Sequence, residues 1–144
     1  MKKIFFVATA FLFLLAYLAL QYKNEQNLNK SPANISCDIN LNTCALNSVI
    51  TDINATLSVD PKPLKAMNES LFSFSGLGTL AKPSVRIYGL NMDMGVIKSQ
   101  LFQANKTYQT KIMLASCTQS QMLYRLDVLD GTNIIASIDF VLKQ

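Results

Sequence analysis

The stretch QMLYRLDVLDGTNIIASIDFVL, Gln121 to Leu142, decides the fold. In its first half Met122, Tyr124, Leu126 and Val128 recur at every second position. In its second half Ile134, Ala136, Ile138, Phe140 and Leu142 do the same. A period of two places such side chains on one face of an extended strand; a helix would scatter them. Between the halves stands DGTN, Asp130 to Asn133. An Asp-Gly pair flanked by alternating apolar residues is a strong hairpin signal. The segment therefore reads as two antiparallel strands sharing one apolar face. That register sends Asp127 and Asp139 outward, where they are expected to be solvated surface charges. It also sends Ile135 and Val141 outward, as candidates for an exposed apolar edge.

The same period runs upstream. NATLSV aligns Ala55, Leu57 and Val59, and ESLFSFSG aligns Phe72 and Phe74 with serines opposite. SVRIYG offers Val85 and Ile87, with Arg86 and Tyr88 facing away. VIKSQLF is a weaker strand, and TYQTKIML aligns Tyr108, Thr110, Ile112 and Leu114. Turn signals separate these runs: DPKP at Asp60, GLG at Gly76, AKP at Ala81, Met94-Gly95 and ANK at Ala104. No segment after the N-terminal run keeps a helical period over three turns. About seven short strands at this spacing predict an all-β, antiparallel immunoglobulin-like sandwich over residues 35–144. The chain has no tryptophan, so Tyr124 is expected in the role of that fold's buried tryptophan.

The chain starts differently. Lys2 and Lys3 precede 17 residues, Ile4 to Leu20, that are apolar apart from Thr9. That length is at the short end of what spans a bilayer. The two lysines favour a cytoplasmic N-terminus, which sends the rest of the chain outward. The run ends AYLALQYK, poorly spaced for cleavage between small residues. Residues 1–23 are expected to be an uncleaved signal-anchor, with a cleaved secretory signal as the alternative. Polar residues 24–34 read as a tether. Setting Lys2 and Lys3 aside leaves 11 basic residues against 9 acidic ones, without a basic cluster, so nucleic acid is not an expected partner.

The sequence has no histidine. That excludes Ser-His-Asp and Cys-His triads and most catalytic zinc sites. Carboxylates are few and scattered, no phosphate-binding glycine loop is present, and no enzyme is expected. Cysteine and methionine carry the remaining chemistry. Cys37 and Cys44 form C-x6-C in CDINLNTC; in an exported domain a structural disulfide is favoured over a metal-binding thiol pair or a redox switch. YGLNMDMGV, Tyr88 to Val96, places Met92 and Met94 on a turn. Cys117 follows the strand ending at Leu114. Thioether and thiolate together favour copper(I); the competing reading is that the methionines fill gaps in the core and the free cysteine is simply buried.

SCDINLNTC, VRIYGLNMDMG and LASCTQSQMLYRLDV, in this order after a membrane segment, resemble a group of small membrane-anchored bacterial proteins. These carry a G-x-N-M-x-M-G loop and a later C-x4-M-x-W/Y segment. The group is similar to FixH-like and YtkA-like β-sandwich proteins, which are associated with copper handling and cytochrome oxidase maturation. The resemblance implies a periplasmic domain on a single inner-membrane span, with Met92, Met94 and Cys117 as the residues of interest for copper(I). It also implies an envelope or respiratory-complex protein partner. The alternative is a non-catalytic protein-binding module without metal.

Overall fold

The computed structural model describes residues 11–20, 33–49, 54–116 and 120–143. Ten strands are found among them: β1 (Cys44–Ala45), β2 (Asn47–Ser48), β3 (Thr56–Asp60), β4 (Glu69–Ser75), β5 (Pro83–Gly89), β6 (Val96–Gln100), β7 (Phe102–Ala104), β8 (Thr107–Met113), β9 (Gln121–Asp130) and β10 (Asn133–Lys143). They form two five-stranded sheets in the orders β1-β3-β4-β8-β7 and β2-β10-β9-β5-β6. Every pairing is antiparallel. The inner faces meet in one core. Leu57, Phe72 and Phe74 come from the first sheet, and Ile87, Tyr124, Leu126 and Phe140 from the second. The Tyr124 and Phe140 rings stack at 5.6 Å.

The seven alternating runs all appear as strands. Ten are present rather than about seven for two reasons. VIKSQLF divides into β6 and β7, and Cys44 to Ser48, too short to show a period, supplies β1 and β2. Each of these runs crosses from one sheet to the other around a buried leucine. Leu46 is the pivot between β1 and β2, and Leu101 the pivot between β6 and β7. The side chains of Ser99 and Thr110, 2.7 Å apart, link β6 to β8 across the second of these seams. Strands that change sheet in this way make the corners of a sandwich.

The β9–β10 hairpin turns on Gly131 and Thr132, between the paired Asp130 and Asn133. Gly131 has φ 63°, a conformation that glycine adopts without steric cost. The β7–β8 hairpin turns on Asn105 and Lys106, both left-handed at φ 46° and 66°, as a two-residue turn of this twist requires.

Two outward assignments on these strands are corrected. A β-bulge lies between Ile134 and Ala136. The extra residue resets the alternation, so Ile135 is buried while Ile134 is 37% exposed. Ile135 therefore belongs to the core and not to an exposed edge. Asp127 and Asp139 do face away from the core, but they are buried at 2% and 3%. Neighbouring arginines cover them, as described below.

Near the N-terminus, residues 11–20 are helical and exposed. At about 1.5 Å per residue these ten residues rise roughly 15 Å. Among the described residues no helix is long and apolar enough to cross a membrane. Residues 1–10 and 21–32, which hold the rest of the expected anchor and most of the expected tether, lie outside the described residues.

Candidate functional site

Strand directions bring the methionine loop and the strand ends that flank Cys117 to one pole of the sandwich. β5 ends at Gly89 beside Tyr124, close to the start of β9, and β6 starts opposite Tyr88. β8 ends at Met113, opposite the start of β4. The β5–β6 loop, the β8–β9 connection and the β3–β4 loop are therefore at the same pole. The Cys37–Cys44 loop joins them, because Asn40 bonds both Val141 near the end of β10 and Leu64 in the β3–β4 loop.

Asn91 fixes the methionine loop. Its side-chain Nδ2 donates to the Gln121 carbonyl (3.1 Å), and its Oδ1 accepts from the Leu123 N–H (3.0 Å). The Leu90 N–H donates to the Leu123 carbonyl at 2.7 Å. The asparagine thus extends the β5–β9 pairing by one side chain. Within the loop the Gly95 N–H donates to Asp93 Oδ1. Gly89 is needed for a close approach: a Cβ there would sit 2.2 Å from the Met92 carbonyl oxygen. Met92 and Met94 are both half-buried, and Met94 packs against the core. Met122 is fully buried inside the sandwich.

Cys117 lies outside the described residues. The chain is held on both sides of it. The Met67 N–H donates to the Leu114 carbonyl, and the Tyr124 hydroxyl donates to the Ala115 carbonyl at 3.1 Å. Tyr124 therefore does not substitute for a core tryptophan alone. Its ring fills the core while its hydroxyl secures the β8–β9 connection. Tyr124→Phe keeps the ring and removes the tie. It is expected to cost about 1 kcal/mol and to speed amide exchange at Ala115 and Ser116, as read by denaturant unfolding and hydrogen exchange.

Cys37 and Cys44 are disulfide-bonded, with Cα atoms 5.8 Å apart. The bridge closes a loop organised by two polar side chains. Asp38 Oδ1 accepts from the backbone N–H and the side-chain Nδ2 of Asn40. The side-chain hydrogen bond, seconded by the backbone one, lowers the Asp38 pKa. A cavity of about 630 Å³ opens beside this loop, bordered by Asp38, Asn40, Leu41, Leu64, Ser116 and Lys143. Among the described residues no group of three or more histidine, cysteine, aspartate or glutamate side chains is placed to hold a metal ion.

A second cluster, on the outer face of the β2-β10-β9-β5-β6 sheet, was not anticipated as a site. Arg86 Nε donates to Asp127 Oδ2 at 2.8 Å, and the Tyr88 hydroxyl donates to the same oxygen at 3.3 Å. Arg125 forks onto Asp139, with Nε to Oδ1 at 2.6 Å and Nη2 to Oδ2 at 2.8 Å. The Asn34 N–H donates to Asp139 Oδ2 at 2.7 Å, so the chain entering the domain is docked on this face. Burial pushes the Tyr88 hydroxyl above its ordinary pKa, and the Asp127 charge adds to the shift. The Asp139 hydrogen bond raises Arg125. The signal for this lattice was present in the alternation itself: Arg125 and Asp127 stand two apart, with Arg86 and Asp139 on the neighbouring strands.

No family model, curated protein or solved structure matches the chain.

Proposed function

We propose that the chain is a membrane-tethered, periplasmic β-sandwich of the immunoglobulin-like kind that holds copper(I) at its loop pole. In this reading it serves as an accessory or assembly factor for a respiratory oxidase at the bacterial inner membrane and catalyses no reaction. The immunoglobulin-like assignment is supported by strand order. With β3, β4, β5, β7, β8, β9 and β10 numbered first to seventh, the sheets run first-second-fifth-fourth and seventh-sixth-third, the order of that fold, and β1, β2 and β6 are added at the edges.

The copper assignment rests on one observation: the loop carrying Met92 and Met94 is at the same pole as the strand ends that flank Cys117. Asn91 bonds directly to Gln121 and Leu123, just beyond that segment. Two thioethers and a thiolate form a soft donor set suited to copper(I). The full-length chain is expected to retain copper(I) against a competing chelator in ascorbate. Met92→Leu/Met94→Leu/Cys117→Ser is expected to lose at least tenfold in affinity, with Met→Leu changes conserving core volume where Met94 packs. Equal retention by both proteins ends the copper reading.

A second reading, a non-catalytic envelope protein-binding module, is favoured by the packing of Met94 against the core. That contact gives this thioether a structural role without metal. Crosslinking in the native envelope separates the readings, since a module without metal is captured equally with and without the three substitutions.

A further inference from the structure

One row of residues crosses the outer face of the β1-β3-β4-β8-β7 sheet without a charge. The strand register sets Ser58 opposite Ser73, Ser73 opposite Gln109, and Gln109 opposite Phe102. The row therefore spans four strands, spaced about 4.8 Å apart. Ser58, Ser73 and Gln109 are half-buried. Among the described residues their side chains have no hydrogen-bond partner within the protein. Phe102 ends the row on the outermost strand, 70% exposed. A single exposed phenylalanine is ordinary. This one borders a cleft of about 370 Å³ that is also lined by Leu71, Ser99, Gln109 and Lys111, a volume in the range of small-ligand sites. Other polar groups of the cleft are already engaged. Glu69 takes the Lys111 ammonium at 2.8 Å, and the Ser99 hydroxyl is bonded with that of Thr110. The Gln109 amide, which both donates and accepts, is the group left for a ligand.

These features suit a neutral ring rich in hydroxyls. A pyranose carries hydroxyls around its rim and C–H groups on its faces. The C–H groups pack against the negative face of an aromatic ring, while the rim hydroxyls pair with amide and hydroxyl side chains. A charged ligand finds no uncompensated charge here, because Lys111 is paired with Glu69. We propose that this face binds a neutral oligosaccharide. One pyranose stacks on Phe102 and bonds to Gln109, and the following rings lie along Ser73 and Ser58. A row running straight across the strands fits an extended chain of sugars better than a single one. The site shares no residue with the methionine loop and does not rest on the copper reading.

The experiment is calorimetric titration of the full-length chain, in a detergent without a sugar headgroup. The probes are chitotetraose, a linear neutral tetramer of N-acetylglucosamine, and the monosaccharide. Chitotetraose is expected to bind saturably and more tightly than the monosaccharide, with an affinity unchanged by added salt, since no charge is there to be screened. Phe102→Ala is expected to weaken binding about tenfold and Gln109→Ala about fivefold. Phe102→Tyr keeps the aromatic face and retains binding. Met113→Ala removes another exposed side chain of the same sheet face, outside the cleft, and leaves the affinity unchanged. All three positions are exposed or half-buried, so the variants keep the fold, as thermal unfolding checks. The proposal is overturned by a tetramer that does not bind saturably, by equal affinities in the unaltered chain, Phe102→Ala and Gln109→Ala, or by an affinity that falls with salt. A monosaccharide that binds as tightly as the tetramer overturns it as well.

Discussion

Asp139→Ala is expected to destabilise the protein by about 3 kcal/mol, because it removes the carboxylate that neutralises Arg125 on a largely covered sheet face. The Asp139 side chain is 4% exposed and that of Arg125 19%. Removing the carboxylate strips Arg125 of two hydrogen bonds and the Asn34 N–H of its acceptor. Breaking a fully buried pair costs about 3–5 kcal/mol; Arg125 retains some access to water, so the lower end applies. For a domain of this size the loss lowers the melting midpoint by roughly 10–15 °C. Glu69→Ala is the control. The Lys111–Glu69 pair is nearly as short, at 2.8 Å, but both side chains are more than 60% exposed, and solvent screening leaves such pairs with little effect on stability. Equal losses in the two variants would show that burial does not set the strength of the Asp139 pair.

Ile135→Ala is expected to cost about 2–4 kcal/mol and Ile134→Ala less than about 1 kcal/mol. The two side chains are adjacent and chemically identical, and only the bulge separates their fates. Ile135 is 4% exposed and Ile134 37%. Strict alternation from the start of the strand gives the opposite ranking. Denaturant midpoints of the two variants therefore read the register of β10 directly, and a larger loss at Ile134 would place the bulge elsewhere.

The strands were legible because most carry one apolar face and one polar face. Met122, Tyr124, Leu126 and Val128, read from a period of two, are all buried in the core. The Asp-Gly signal located the last hairpin. The bulge was not legible, since Ile134, Ile135 and Ala136 are all compatible with an interior and composition does not select among them. Asp127 and Asp139 were placed on the correct face and given the wrong environment. Alternation reports which way a side chain points, whereas its burial depends on the residues that register brings alongside, here Arg86, Tyr88, Arg125 and Asn34. The pairing of Cys37 with Cys44 was favoured by reading the N-terminal apolar run as an export signal. The asparagine clasps at Asn40 and Asn91 had no signature in the sequence, because each works through backbone groups distant along the chain.

The two sheet-changing runs restrict how this domain can meet another protein. The outermost strands of the two sheets are two, three, two and five residues long. Each lies next to a crossover that turns the chain toward the opposite layer. Brevity and changes of direction deny an incoming extended peptide the long straight template that strand addition needs. Recruitment by lengthening a sheet is disfavoured, as is runaway edge-to-edge stacking between copies. Recognition is left to the broad faces and to the poles, where side chains rather than main-chain amides make the contacts.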